Sequence, residues 1–246
     1  MKKILLVLGL AFTMLAATAC GTSADDGNKT SKADKTVTAT SNSDKTSETQ
    51  KDDDKKDDAK ESYKSADDIT MDDLKNHEET PADDFEYGEG PNDSIVIDGY
   101  TGEDPIVVIP NEIDGKKVVD FGRMFTNNKD VVAIKVGDNV EDIMENAFTN
   151  CDNLKYIVFG KNVKVINDGL LGGSKIEQIE FNDGLEKLGS NVSGVGLKSK
   201  IDVSIPESVT EMTFRGAKTL IVKSGSYAES YAKEYADKLG MAYKVE

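Results

Sequence analysis

A β-rich solenoid with a C-terminal helix-and-strand cap, carried on a disordered tether behind an export signal, is the fold predicted for this 246-residue chain. Three observations predict it. Apolar residues recur with a period of 22 to 24 positions between Val131 and Met212, the stretch ahead of Phe85 is nearly devoid of them, and one apolar run stands at the very start.

The opening run comes first. Lys2 and Lys3 precede ILLVLGLAFTMLAA, which is shorter than the roughly twenty residues a bilayer span requires. A basic start, a short apolar stretch and small residues after it form a secretory signal, residues 1–19, removed from the mature chain. Its end, LAATACGT, resembles a bacterial lipoprotein signal, with Cys20 and Gly21 in the matching places and Ala17 where that family usually has Leu. The resemblance implies a diacylglyceryl group on Cys20 and attachment to the outer face of the cell membrane, since two acyl chains anchor where one does not. Ala17-Thr18-Ala19 also reads as an ordinary A-x-A cleavage site, which would give a secreted protein.

Residues 20–84 are predicted to be a tether. From Gly21 to Asp84 there are 19 acidic and 10 basic side chains, in runs such as KTVTATSNSDKTSETQKDDDKKDDAKES. So little apolar surface does not offset the entropy of ordering the chain. A flexible coil of this length spans roughly 40 to 50 Å, and like charges lengthen it. Within it, SADDITMDDLKNHEE is read as no more than a transient helix, with Ile69, Met71 and Leu74 on one side. The single histidine, His77, sits in this polar stretch and is read as a solvated linker residue.

Residues 85–246 hold the folded domain, long enough for one core. Units 131–153, 154–175, 176–196 and 200–212 align so that Ile134, Ile157, Ile179 and Val203 share one position, and Ile143, Ile166, Leu188 and Met212 another. A degenerate copy at 105–130 precedes them, with an insertion at Asp114-Gly115. Each unit has two short strand-like segments, such as YIVF and VKVI, that bury their apolar side only by stacking on neighbours. The turns GDN, GKN, NDG and PES recur at equivalent places, since Gly and Asn tolerate positive φ and Asp or Ser bonds the local backbone. No acidic turn repeats the ligand spacing of a calcium loop, so no metal site is assigned.

The motif L-x-x-I-x-[IF]-x-x-x-V-x-x-I-x-x-x-A-F-x-x-C-x-x-L, read through Ala147-Phe148-Thr149-Asn150-Cys151, resembles the BspA-like leucine-rich repeats of bacterial surface proteins. DFEYGEGPNDSIVIDGYTGEDPIVVIPNEIDGKKVVDF is similar to the segment leading into such repeats, and LIVKSGSYAESYAKEYADKLGMAYKVE to their C-terminal unit. The resemblance implies a leucine-rich repeat solenoid of about four to five units, interaction roles such as adhesion, and no catalytic residues or cofactors. The third and fourth units depart from it, with Leu170-Leu171-Gly172-Gly173 and a glycine-rich GSNVSGVG in place of A-F-x-x-C, and are expected to pack less tightly.

Cys151 therefore occupies a repeat position that calls for a small, buried, apolar side chain. A nucleophilic thiol needs a base to lower its pKa, and residues 85–246 contain no histidine. At the far end, SYAESYAKEYADKL is predicted to be a capping helix begun by a Ser226/Glu229 capping box and ended by Gly240. Its Tyr227, Tyr231 and Tyr235 stripe is expected to pack on the last repeat, and MAYKVE to close as a strand.

Function is placed on the outward strand positions. Alternation turns Lys135, Tyr156, Gln178, Glu180 and Asp202 to one surface, a mixed polar and aromatic face of the kind interfaces use. A net charge of −16 repels polyanions, so nucleic acid is excluded as a partner. The reading is an adhesin-like binder of a surface protein or polysaccharide. Its alternatives are a passive spacer or assembly subunit of an envelope complex, and a carboxylate-based hydrolase, which requires two carboxyls held about 5 to 10 Å apart in a cleft.

Overall fold

The computed structural model describes residues 65–190 and 201–246. The signal, Cys20, the tether through residue 64 and most of GSNVSGVG lie outside the described residues. In chain order the elements are helix α1 (Met71–Asn76) and strands β1 (Phe85–Glu89), β2 (Ile95–Tyr100), β3 (Ile106–Val108), β4 (Glu112–Ile113) and β5 (Lys116–Asp120). The repeats supply β6 (Ala133–Lys135), β7 (Asp142–Ile143), β8 (Tyr156–Val158), β9 (Val165–Ile166), β10 (Gln178–Glu180), β11 (Lys187–Leu188), β12 (Asp202–Ser204) and β13 (Glu211–Met212). Strand β14 (Thr219–Val222), helix α2 (Tyr227–Tyr235) and strand β15 (Ala242–Val245) close the chain.

Two parallel ladders make the solenoid. One runs β3-β6-β8-β10 and the other β7-β9-β11-β13. Ile134 lies opposite Ile157, and Ile157 opposite Ile179; in the second ladder Ile143, Ile166, Leu188 and Met212 form one row. The apolar register read from the sequence is thus the hydrogen-bonding register. Both rows face a single core that runs from Phe85 to Met241. A third parallel sheet, β12-β14-β15, continues the stack toward the C-terminus.

The polar turns hold the units together. The Asp138 carboxylate accepts from the Lys161 backbone N–H at 3.1 Å and pairs with Lys161 Nζ at 2.6 Å. Asn162 Nδ2 donates to the Asp138 carbonyl at 2.7 Å, as Asn139 does to Asn111 one unit earlier at 3.0 Å. Gly137 and Gly160 are stacked so closely that a Cβ on Gly160 would run into the Gly137 carbonyl. The insertion at Asp114-Gly115 is a two-residue hairpin joining antiparallel β4 and β5, with φ of 52° and 78°, the pattern that Asp-Gly favours in such turns.

The expected loosening of the third unit is only partly found. Asn127 and Asn150 have φ of 64° and 59°, and Gly173 takes the same place at 85°, a region that Asn tolerates and Gly adopts freely. Leu170 and Leu171 replace Ala147 and Phe148 in full burial. Looser packing appears further on, where Ile179 and Phe181 are half-buried while Ile157 and Phe159 are buried.

The C-terminal cap corrects two details. Ser226 Oγ accepts from the Glu229 N–H at 3.0 Å, but the Glu229 carboxylate accepts from Gly225 at 2.8 Å, so the reciprocal bond falls one residue before the capping position. Of the tyrosine stripe only Tyr231 packs inward, donating its hydroxyl to the Phe214 carbonyl at 2.9 Å, alongside buried Ala228, Ala232 and Ala236. Tyr227 and Tyr235 remain exposed, because the small alanines bring the helix close to the repeat and leave room for one ring. The helix ends at Tyr235, and a 3-10 turn carries the chain to Gly240 at φ 70°.

Packed structure also begins before the expected boundary at Phe85. Residues 65–84 lie in the same compact unit as the repeats, and Ile69, Met71 and Leu74 are buried. The composition of residues 20–84 averages these three anchors away. They are ordered because an aliphatic surface on the strands receives them.

Candidate binding face

Helix α1 is short, and local chemistry starts it. Thr70 Oγ1 accepts from the Asp73 N–H at 3.2 Å, and the Asp73 carboxylate accepts from the Thr70 N–H at 2.7 Å, a complete capping box. Six residues do not sustain a helix in water, so its stability comes from the surface beneath. That surface is the outward side of β3, β6 and β8, where Ile106, Val108, Val132, Ala133 and Tyr156 cluster with Ile69, Met71 and Leu74.

Polar contacts pin this strap at both ends. Lys155 Nζ pairs with Asp67 at 2.6 Å and donates to the Ala66 carbonyl at 3.3 Å. Lys75 Nζ reaches Glu180 at 2.6 Å. Further along, Thr80 exchanges two bonds with Val108, its N–H to the carbonyl at 3.0 Å and its Oγ1 from the N–H at 2.9 Å. Glu79 accepts from Asn111 Nδ2 at 2.8 Å, and His77 Nε2 stands 3.5 Å from the Asp104 carboxylate. His77, expected to be solvated, is therefore beside the body of the domain.

The five sequence-predicted face residues are separated by this strap. Tyr156, expected to be exposed, is only 9% accessible, and its hydroxyl donates to the Glu177 carboxylate at 3.2 Å. Burial, followed by the Glu177 charge, raises its pKa. Alternation does turn Tyr156 outward, but α1 covers that side. Lys135 is half-buried at the margin. Gln178, Glu180 and Asp202 are exposed, Glu180 in its pair with Lys75 and Asp202 3.7 Å from Lys218 Nζ. Ser204 is exposed beside Asp202, and Ile221 is half-buried on the next strand.

Sequence reasoning missed Asp67, Lys75 and Lys155 as residues of this face. The available signal was the Thr70-x-x-Asp73 box laid over the Ile69, Met71, Leu74 spacing, which marks a helix start on an apolar side.

Cys151 lies in the core at 2% exposure and forms no disulfide among the described residues. Its Sγ–H donates to the Phe125 carbonyl at 2.9 Å, and one unit later Ser174 Oγ–H donates to the Phe148 carbonyl at 2.7 Å. The repeat position thus calls for a small hydrogen-bond donor, which refines the expectation of a merely apolar one. Burial pushes the Cys151 thiol up to about 11, far from the thiolate a nucleophile needs. Among the described residues no group of three or more His, Cys, Asp or Glu is placed to hold a metal ion, and no helix is long and apolar enough to cross a membrane.

With this geometry in view, residues 122–217 match the model of the BspA type leucine rich repeat region, in six copies. The match covers less than half of the chain. The match leaves out the strap, the hairpins ahead of Gly122, and the C-terminal cap. Among solved structures the chain is similar to a leucine rich repeat protein of T. pallidum, at 28% identity and TM-score 0.47 over 58% of this chain and 71% of that one. It is also similar to a leucine-rich repeat protein from Bacteroides ovatus (18% identity, TM-score 0.47, 68% and 52% covered). A leucine rich cell surface protein from Faecalibacterium prausnitzii is a third (16% identity, TM-score 0.34, 59% and 55% covered). The chain spans about half the length of these last two. No curated protein matches the chain.

Proposed function

We propose that this protein is an exported, lipid-anchored cell-surface binder whose leucine-rich repeat solenoid recognises a protein or glycan on the open part of its strand face, without catalysis. One observation carries the reading: Gln178 on β10, which ends one parallel sheet, and Asp202 and Ser204 on β12, which begins the next, stand exposed, with Glu180 exposed in its pair with Lys75. Such a surface presents hydrogen-bond donors and acceptors, as polar interfaces do. The sequence LAATACGT supports anchoring through Cys20, and residues 20–64 supply reach from the membrane.

Two experiments test this. Cys20→Ser is expected to release the protein into the medium, and unchanged membrane retention contradicts lipid anchoring. The full chain, immobilised, is expected to retain a component of purified cell-surface protein or polysaccharide fractions, and Gln178→Arg with Asp202→Arg to lose it. Retention unaltered by these substitutions moves recognition off the open face. A blank with every fraction favours a spacer role in an envelope assembly.

A further inference from the structure

The outward positions of the strand face change character along the stack. On β10 and β12 they are Gln178, Glu180, Asp202 and Ser204, all exposed, as a solvated strand carries. On β3, β6 and β8 the apolar ones are Ile106, Val108, Ala133, Tyr156 and Val158, buried or half-buried under the strap. Left bare, a contiguous apolar patch of this kind marks an interaction surface.

The strap shows what chemistry fits that patch. It presents aliphatic anchors at Ile69, Met71 and Leu74, a carboxylate two residues before the first anchor and a lysine one residue after the last. The body supplies the complements, Lys155 for Asp67 and Glu180 for Lys75. Yet the strap is attached through side chains rather than through a backbone ladder. Among the described residues no backbone-to-backbone hydrogen bond joins residues 65–79 to the strands, and the first such bond is from Thr80 to Val108. Lifting residues 65–79 therefore breaks no ladder bond, and the lift hinges near Thr80. An element with few backbone ties opens locally at a lower free energy than the core it covers.

From this we infer that the covered half is a docking groove for a short helical segment of a partner protein, with three aliphatic anchors at the spacing of Ile69, Met71 and Leu74, a carboxylate ahead of them and a cation behind. Residues 66–76 are its resident occupant, and the partner segment binds by displacing them. This rests on the strand face being the recognition face, and it assigns a protein segment rather than a glycan to this half. Because the strap is covalently attached, it competes at an effective concentration on the order of millimolar, which keeps the groove closed to weak ligands.

The probe is a fluorescently labelled peptide of residues 65–80, and the receptor is the full chain carrying Ile69→Asp and Leu74→Asp in its own strap. Anisotropy is expected to show saturable binding to this unseated chain, about tenfold or more tighter than to the wild-type chain, in which the strap competes. A peptide carrying the same two aspartates is expected not to bind. Lys155→Glu in the receptor is expected to weaken binding, and Asp67→Lys in the peptide to restore it, which nonspecific adhesion to an apolar patch would not do. The proposal is overturned if the unseated chain keeps hydrogen-exchange protection of its ladders but ignores the peptide. It is equally overturned if that chain loses ladder protection, which makes the strap part of the fold, or if it dimerises through the groove to the exclusion of peptide. Asp202→Arg leaves peptide binding unchanged, so failure of the open-face reading and failure of the groove are read separately.

Discussion

Two halves of one strand face, built on the same repeat and the same inward register, carry opposite outward chemistry. Beneath α1 the short strands β3, β6 and β8 are buried on the inner side and buried or half-buried on the outer, whereas β10 and β12 expose Gln178, Glu180, Asp202 and Ser204. The core does not follow this division: Ile179 and Phe181 under β10 are half-buried, but Val203 and Ile205 under β12 are buried as fully as Ile157 and Phe159. The difference teaches that the repeat dictates only what faces inward. Its outward positions are free to be specialised unit by unit, here for an intramolecular partner at one end and for solvent or a ligand at the other.

The largest expected effect comes from the core. Phe159→Ala is expected to cost about 3–5 kcal/mol in denaturant unfolding, and Phe181→Ala clearly less, although the two rings stack at 5.6 Å; equal costs would erase the loosening at β10. Next, Leu74→Ala removes a fully buried anchor and is expected to weaken strap seating by about 2–5 kcal/mol. Native-state hydrogen exchange should register it in residues 66–79 and not in the ladders. Uniform loss across the domain would mean that the strap and the repeats unfold as one.

A smaller effect is expected at Cys151, whose surroundings belong to neither half of the face. Cys151→Ala leaves the Phe125 carbonyl without its donor and is expected to cost about 1–2 kcal/mol, while Cys151→Ser, which copies Ser174, costs less. Burial raises this thiol to about 11 from near 9, so the unfolded chain ionises first. Its contribution to stability is fully present below about 9 and is lost as pH rises toward 11. A pH titration of the unfolding midpoint, with Cys151→Ser as control, measures this.

The smallest effect is on strap seating at low pH. The hydrogen bond and charge of Lys155 hold the Asp67 carboxyl below its ordinary value, so its contribution is present above about pH 4 and fades as pH falls through the depressed value. Asp67→Asn is expected to remove that dependence from exchange rates in residues 66–79. Persistence of the same pH profile in the variant would assign it to another group.

Most of the architecture was legible in the sequence because the apolar period is also the ladder register, so aligning Ile134, Ile157, Ile179 and Val203 located the strands. The face was less legible. Period-two alternation states correctly that Tyr156 points away from the core, but it carries no record of a distant segment lying across it. Lys155 and Asp67 are 88 residues apart, and nothing local links them. Ile69, Met71 and Leu74 were visible as one side of a helix, yet three apolar residues in an acidic stretch read as solvated until their receiving surface is known. The role of Cys151 as a donor was hidden for a related reason: the period puts Ser174 in the same place one unit later, but that both side chains donate to equivalent carbonyls is seen only in the structure.

The most direct test of a divided face is amide hydrogen exchange of the wild-type full chain over residues 66–79, compared with a free peptide of the same sequence. The account predicts exchange markedly slower in the chain than in the peptide, though faster than in β6 and β8, and accelerated by Leu74→Ala with the ladders unchanged. Exchange at the free-peptide rate would contradict it, leaving the outward side of Tyr156 open to solvent and the two halves of the face alike.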